Sequence, residues 1–164
     1  MNKEEMKKTE EERRDLLQQI VTWARKYKLG NEDWVKENFE FNDDGSVICN
    51  TDLELNSMTE PDFPESIKYV EGNLYLDGLT SAEGLKLPNS MSNLYLNGLT
   101  SAEGLELPDE IECLSLNGLT SINGLKFNSL KLTGIKIECT IFLKKVPNEE
   151  KEELREKYFN LRIE

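Results

Sequence analysis

Residues 74–88 read LYLDGLTSAEGLKLP, and residues 94–108 repeat them as LYLNGLTSAEGLELP, displaced by 20 positions. A third copy, LSLNGLTSINGLKF, follows at residues 114–127. Self-similarity at a fixed period of this length is the signature of a solenoid, in which each unit forms one turn that stacks on the next. The middle of the chain is therefore predicted to be a repeat scaffold, and the surfaces of such scaffolds favour binding over catalysis.

The repeat extends beyond these three copies. Residues 53–59, LELNSMT, match LYLDGLT from Leu74 at a spacing of 21, and residues 130–135, LKLTGI, restart the pattern 16 positions after the third copy begins. Capping repeats are usually degenerate, which fits both outer copies. We therefore predict five rungs, which start at Leu53, Leu74, Leu94, Leu114 and Leu130.

A Leu-x-Leu alternation opens each unit and sends both leucines to the same side of a strand. Equivalent leucines of successive units would lie about 4.8 Å apart in parallel strands, so no unit buries its leucines without a neighbour. An Asx-Gly pair follows each strand of the three clear copies, at residues 77–78, 97–98 and 117–118. Glycine at these positions predicts a turn with positive φ.

Helices are predicted at both ends of the repeat. Residues 3–28 carry apolar side chains at three- and four-residue spacing, which is typical of a helix with one buried face. That face comprises Leu16, Leu17, Ile20, Val21, Ala24 and Tyr27, with Trp23 beside it. Asn31 can cap a second, short helix, and residues 39–49 alternate around a central Asp-Gly as a β-hairpin does. Pro147 suits the first turn of a terminal helix that ends near Phe159 and would bury Leu154, Tyr158 and Phe159.

The repeat units resemble the leucine-rich repeat family, in particular short bacterial and phage-type units of about 20 residues built on GLTSAEGLxLP. Ile111, Leu114 and Leu116 match the family's Leu-x-x-Leu-x-Leu, and the likeness covers residues 53–135. The chain departs from the family at Leu79 and its equivalents, where the family places an inward asparagine. A turn of the β-solenoid type is therefore an open alternative.

These observations predict one continuous domain of the α+β class. Its centre would be a short leucine-rich-repeat-like parallel β-solenoid of about five rungs. N-terminal helices and a hairpin would form a cap at residues 1–52, the solenoid would cover residues 53–135, and a strand and a capping helix would complete it at residues 136–164.

The resemblance implies a non-catalytic scaffold that binds a protein partner through the outward positions of its strands. Carried over to this chain, those positions are Tyr75, Tyr95, Ser115 and Lys131, with Asp77, Asn97 and Asn117 at the edge. Stacked tyrosines beside polar neighbours are typical of a binding hot spot, although tyrosine is also a good strand residue. The sequence leaves both interpretations open.

Acidic residues are concentrated ahead of the clear repeats. The net charge is −12 at pH 7, and residues 29–73 alone carry −10, with 12 acidic residues against Lys36 and Lys68. Direct nucleic-acid binding is not expected, because phosphate contacts need lysine and arginine. A basic protein partner fits this charge, as does solubility alone. The alternative hypothesis is an acidic inhibitor or nucleic-acid mimic that occupies a basic cleft through Asp43, Asp44, Asp52 and Glu54.

Catalysis is not expected from these residues. The chain contains no histidine, which removes the commonest general base and metal ligand and prevents Ser-His-Asp or Cys-His systems. Cys49, Cys113 and Cys139 lack the CxxC spacing of a zinc site, and residues 40–51 lack the final glutamate of a calcium loop. No cofactor or metal is predicted. A hydrolase that uses carboxylates alone is a third hypothesis, but no pair stands out.

The composition predicts a soluble, cytoplasmic protein without membrane contact. No apolar run is long enough to span a bilayer, and the N-terminal residues MNKEEMKKTEEERRD lack the apolar stretch of a secretory signal. Three cysteines without framework spacing favour reduced thiols.

Overall fold

The computed structural model describes residues 3–108, 110–125, 140–157 and 162–164. The helices in these ranges are α1 (Lys3–Lys26), α2 (Glu32–Asn38) and α3 (Asn148–Lys157). The strands in the same ranges are β1 (Phe39–Phe41), β2 (Val47–Cys49), β3 (Leu53–Glu54), β4 (Ile67–Val70), β5 (Leu74–Tyr75), β6 (Ser90–Tyr95), β7 (Glu110–Ser115), β8 (Thr140–Phe142) and β9 (Arg162–Ile163). All nine strands belong to a single sheet.

The sheet is a β-solenoid of about five stacked turns, flanked by an N-terminal and a C-terminal helix, which confirms the predicted fold class. β3, β5, β6 and β7 are parallel and in register, with Leu74 beside Leu94 and Leu94 beside Leu114. The side chains of these three leucines are fully buried. The Leu-x-Leu alternation thus builds the core by stacking equivalent leucines, as predicted.

The N-terminal cap follows the predicted order of elements. The side chain of Asn31 accepts a hydrogen bond from the backbone N–H of Trp34 at 2.9 Å, which starts α2. β1 and β2 pair antiparallel as the predicted hairpin, and Gly45 in its turn has φ +83°. β2 then pairs parallel with β4, so the second hairpin strand also belongs to the stacked part of the sheet.

Trp23 of α1 is a core residue, whereas the sequence placed it beside the buried face. Its side chain is 7% exposed, and its ring meets the ring of Phe63 edge-on at 5.6 Å. The indole Nε1 donates a hydrogen bond to the backbone carbonyl of Asp62 at 2.9 Å. The loop that closes the first turn supplies both partners, so helical periodicity could not reveal this burial.

Two sets of glycines shape the three clear repeats, and only one of these sets has positive φ. Gly84 and Gly104 have φ near +78° and +77°, a conformation that other residues rarely adopt. Gly98, which was predicted to be such a residue, is not among the positive-φ residues. A Cβ at Gly98 would instead overlap the backbone carbonyl oxygen of Asp77 in the preceding turn. The Asx-Gly glycines are therefore needed for close packing between turns.

The turn after Leu114 begins at Ile141, which corrects the predicted rung order. Residues 130–135 lie outside the described residues, so the predicted strand there is not described. β8 pairs parallel with β7 and places Ile141 directly beside Leu114, in the position predicted for Leu130. Ile141, Phe142 and Leu143 repeat the Leu-x-Leu alternation with isoleucine in the first place, and both Ile141 and Leu143 are fully buried.

The C-terminal end ties α3 to the third clear unit. Glu150 accepts hydrogen bonds from the hydroxyl of Ser121 at 2.7 Å and from the backbone N–H of Ile122 at 2.8 Å. Leu154 of α3 is buried, as predicted. Tyr158 and Phe159, which were predicted to share that face, lie outside the described residues. β9 adds a further parallel strand beside β8, which the sequence did not predict.

Candidate functional site

Tyr75 and Tyr95 stand side by side on the outward face of the sheet. Each follows a buried leucine in its strand, and the register places the two tyrosines directly opposite each other in β5 and β6. Their rings are stacked with centroids 4.6 Å apart and planes 5° from parallel. Both side chains are partly exposed. The spacing of 20 residues thus brings together the two tyrosines that the sequence singled out.

A column of polar side chains runs beside the tyrosines. The carboxylate of Asp52 accepts a hydrogen bond from the backbone N–H of Asn73 at 2.7 Å and another from its side-chain amide at 3.3 Å. The same amide contacts the hydroxyl of Tyr75 at 3.4 Å. Asn93 donates to the side-chain oxygen of Asn73 at 2.6 Å. These contacts fix the orientation of Tyr75 from the side.

The sequence missed this column, although a signal was present. Asn73 and Asn93 each precede the strand leucine in the repeated run NLYL, and Asp52 precedes Leu53 at the equivalent place. The residue before the leucine points to the same side as the tyrosine after it, because side chains alternate along a strand. Counting two positions back from Tyr75 and Tyr95 would therefore have identified the asparagines.

Asp77, Asn97 and Asn117, predicted at the edge of the binding surface, form a ladder between turns. The side-chain oxygen of each accepts the backbone N–H of the equivalent residue in the next turn, with Asp77 bonded to Asn97 at 2.8 Å and Asn97 to Asn117 at 3.0 Å. Asn56 begins the ladder and Lys144 ends it. These side chains hold the turns in register, and a role in binding stays a prediction.

Ser115 lies in the outward column but is buried, which corrects its prediction as an exposed contact. Its side chain is 4% exposed, because the larger residues Tyr95 and Phe142 flank it in register. Its hydroxyl donates to the side-chain oxygen of Asn97 at 2.7 Å and accepts from the amide of Asn117 at 3.0 Å. Ser115 therefore supports the ladder.

Lys131, the fourth predicted strand contact, lies outside the described residues. The strand that pairs with β7 places Phe142 opposite Ser115, where the predicted rung order would have put Lys131. The ring of Phe142 is partly buried. The outward column beyond Ser115 therefore continues with an aromatic side chain in place of a cation.

The four carboxylates predicted as one acidic patch lie in two places. Asp52 and Glu54 border the tyrosines, since Glu54 is the register partner of Tyr75. Asp43 and Asp44 lie at the tip of the hairpin, on the order of 20 Å back along the strand direction. Asp43 forms an exposed ion pair with Arg13 of α1 at 3.3 Å. Two of the four residues thus join the predicted tyrosine site.

Asp44 is held by its own turn. It accepts hydrogen bonds from the hydroxyl of Ser46 at 2.6 Å and from its backbone N–H at 2.9 Å. The bond from the Ser46 hydroxyl is the largest cause that lowers the pKa of this carboxyl group. This is the local hydrogen bonding typical of a turn residue, and it secures the hairpin.

We define the tyrosine face as Asp52, Glu54, Asn73, Tyr75 and Tyr95. The first three turns of the solenoid supply these residues, and parallel stacking places all five side chains on the same side of the sheet. Burial raises the pKa of the Tyr95 hydroxyl, and the neighbouring Tyr75 raises it further. The hydroxyl of Tyr95 therefore keeps its proton at neutral pH and can donate a hydrogen bond to a partner.

The two described cysteines have thiols that ionise with difficulty. Burial raises the pKa of Cys49 to about 11. Burial also raises the pKa of Cys113, and the nearby carboxylate of Glu164 adds to the effect. Because the thiolate is the nucleophile, these surroundings do not activate either cysteine. Cys139 lies outside the described residues.

Metal-ligating side chains are dispersed in the part of the chain that the structure describes. No group of three or more His, Cys, Asp or Glu side chains there is arranged to hold a metal ion. None of the described helices is both long enough and apolar enough to cross a membrane.

Comparisons with family models, curated proteins and solved structures found no match to this chain. The resemblance to leucine-rich repeats therefore stays a prediction from the sequence, whereas the solenoid fold follows from the strand register. What the tyrosine face can bind must be inferred from its own chemistry.

Proposed function

We propose that this chain is a non-catalytic protein-binding module that contacts a protein partner through the tyrosine face. The observation that carries the proposal is the stacked pair of Tyr75 and Tyr95, whose rings are 4.6 Å apart and partly exposed. Tyrosine is among the residues that most often dominate binding energy at interfaces. A pair at the centre of a rigid sheet is a favourable anchor for a partner.

Pre-organisation is the second support for this proposal. The stack restrains both rings, and the contact from Asn73 restrains Tyr75 before any partner arrives. Ordering a side chain on binding costs about 0.5–1.5 kcal/mol, and a side chain that is already ordered avoids much of that cost. The tyrosine face is thus suited to binding without rearrangement.

The charge of the face favours a basic partner. Asp52 and Glu54 are exposed in the first turn. Glu54 lies directly beside Tyr75 of the second turn, and Asp52 is hydrogen-bonded to Asn73 two residues before that tyrosine. Carboxylates at the rim of an interface attract lysine and arginine and speed up association. We therefore expect the partner to present basic side chains to the edge of the tyrosine face.

The acidic-mimic hypothesis is the weaker proposal. A mimic of nucleic acid needs several carboxylates spread along one surface to occupy a basic cleft. Asp43 and Asp44 lie at the hairpin tip, where Arg13 and Ser46 already engage them, while Asp52 and Glu54 lie beside the tyrosines. This division favours the tyrosine face as the interaction surface.

The test is affinity capture from cells that express the protein, with a double variant that carries Tyr75→Ala and Tyr95→Ala. We expect the double variant to lose the partner, because truncating two anchors at a hot spot costs about 2 kcal/mol or more for each. Tyr69→Ala is the matched control, since Tyr69 is an exposed tyrosine in β4 that lies outside the face. Circular dichroism establishes that both variants fold. Equal partner recovery by the folded double variant would contradict the proposal.

A further inference from the structure

The first turn of the solenoid has an edge that no strand covers among the described residues. β3 pairs with β5 on one side. On the other side β1 covers the preceding strand β2, and the last backbone hydrogen bond along this edge joins the N–H of Asn50 to the carbonyl of Asn38 at 2.9 Å. The sheet therefore offers an open edge from about Asp52 to Asn56, directly beside the tyrosine face.

The backbone groups of Glu54 point to this open edge. The N–H groups of Leu53 and Leu55 point towards β5, where they donate hydrogen bonds to the carbonyls of Asn73 and Tyr75 at 2.8 and 2.9 Å. Successive residues of a strand direct their N–H and C=O groups to opposite neighbours, so the N–H and C=O groups of Glu54 point away from β5, to the open edge. The residue is also exposed. An exposed edge of this kind is a template for an added strand.

The side chains along the edge have a definite chemistry. The side chains of Asp52, Glu54 and Asn56 alternate with those of the buried Leu53 and Leu55. All three therefore lie on the outward face of the sheet, along its open edge. Two of them are exposed carboxylates. On the other side of Glu54, away from the open edge, lies the ring of Tyr75, its register partner in β5.

We infer that the partner segment is an extended peptide that pairs with the open edge of β3 and carries basic side chains at alternate positions. This inference rests on the proposed function and specifies which partner chemistry the tyrosine face selects. The added strand would hydrogen-bond to the outward backbone groups of Glu54 and extend the sheet by one strand. Its side chains would alternate between the outward face and the side of the buried leucines.

The spacing of the basic residues follows from the register. A lysine or arginine opposite Glu54 meets its carboxylate, and a guanidinium there can also reach the ring of Tyr75 for a cation–π contact. A second basic residue two positions away lies opposite Asp52. The pattern is therefore basic-x-basic, because adjacent basic residues would point to opposite sides of the added strand.

The experiment uses the full chain and three synthetic peptides. The probe is acetyl-GTRVRTG-amide, and the first control, acetyl-GTVRRTG-amide, has the same composition with adjacent arginines. The second control is the probe with N-methyl groups on alternate backbone nitrogens, which removes the hydrogen bonds of an added strand. Titrations of the ¹⁵N-labelled chain should show shifts centred on residues 52–56 and slowed amide exchange at Glu54 with the probe alone.

Three variants test the contacts of the edge. Glu54→Gln removes one exposed ion pair, so we expect binding of the probe to weaken by up to about fivefold. Glu54→Pro removes the outward N–H at a position where an edge strand tolerates proline, and we expect it to weaken binding by about fivefold or more. Glu60→Gln, an exposed carboxylate in the following loop, is the matched control and should leave binding unchanged.

Three results would overturn the inference. They are equal binding of the control peptides, shifts centred away from residues 52–56, and a dimer of the chain that Glu54→Pro dissociates, which would assign the edge to a second copy. The captured partner separates this inference from the proposed function. If Glu54→Pro retains the captured partner and the tyrosine double variant loses it, the inference about the open edge is refuted and the proposed function stands. Retention by both would refute both.

Discussion

The inward and outward columns of the same strands differ sharply. The inward column holds the aliphatic residues Leu53, Leu74, Leu94, Leu114 and Ile141, all fully buried. The outward column, one residue later, holds Glu54, Tyr75, Tyr95, Ser115 and Phe142, which differ in size, charge and exposure. Both columns have the same register and the same distance between turns.

The difference shows what stacking requires and what it leaves open. An inward side chain must fill the space between two neighbouring turns, so only aliphatic groups of similar volume fit. An outward side chain lies outside the aliphatic core and has no such restriction on its volume or polarity. The variable column is therefore where binding chemistry can be placed, and the tyrosine stack is its most ordered part.

The largest expected effect comes from the inward column. Leu96→Ala should lower the free energy of unfolding by about 2–5 kcal/mol, because Leu96 is fully buried and truncation leaves a cavity between turns. Tyr95→Ala, one residue earlier on the outward side, should cost about 1 kcal/mol, mainly through the lost ring stack. Urea denaturation of both variants measures the difference. Similar losses for the two would remove the distinction between the columns.

A smaller effect is expected from the Asx ladder. Asn97→Ala should cost about 1–2 kcal/mol, because the backbone N–H of Asn117 and the hydroxyl of Ser115 lose their acceptor. Asn97→Asp keeps a side-chain oxygen in the same place, as Asp77 does one turn earlier, and should lose much less. Thermal unfolding compares the two variants. A loss as large for Asn97→Asp would indicate that the ladder oxygen does not carry the effect.

The repeating part of the fold was predictable because its cause is local. Alternation within Leu-x-Leu sets the buried side, and the spacing of 20 residues sets the register, so the pairing of Tyr75 with Tyr95 followed from the sequence. The next turn was not predictable, because Ile141 follows Leu114 after 27 residues and residues 141–146 match the start of the repeat only at Leu143. Its relation to the repeat is visible only in the strand pairing.

Residues whose role depends on a neighbouring turn were the hardest to predict. The side chain of Asp77 could be assigned to the ladder only once the N–H of Asn97 was known to lie above it. Ser115 is buried because large rings flank it, one of them from a distant segment. The predicted acidic patch is divided although its members are close in sequence, because Asp44 lies in the turn before β2 and Asp52 lies after it, just ahead of β3.

The smallest expected effect tests the surroundings of the tyrosine stack. The pKa of Tyr95 is raised, mainly by burial, so the folded state holds its proton more tightly than the unfolded state. The contribution of Tyr95 to the free energy of unfolding is therefore fully present below the unfolded-state pKa of about 10 and is lost as the pH rises through the folded-state value. Tyr95→Phe should reduce this loss at high pH.

The titration can be followed for each ring by NMR of the chain with ¹³C-labelled tyrosine. Tyr75→Ala removes the neighbour that shields Tyr95 and should move the pKa of Tyr95 back towards its ordinary value. Tyr69→Ala is the control, since this exposed ring is not part of the stack. An unchanged midpoint for Tyr95 in Tyr75→Ala would mean that the inner side of the sheet, and not the stack, sets its environment. The stacked ring of Tyr75 would then contribute nothing to the raised pKa of Tyr95.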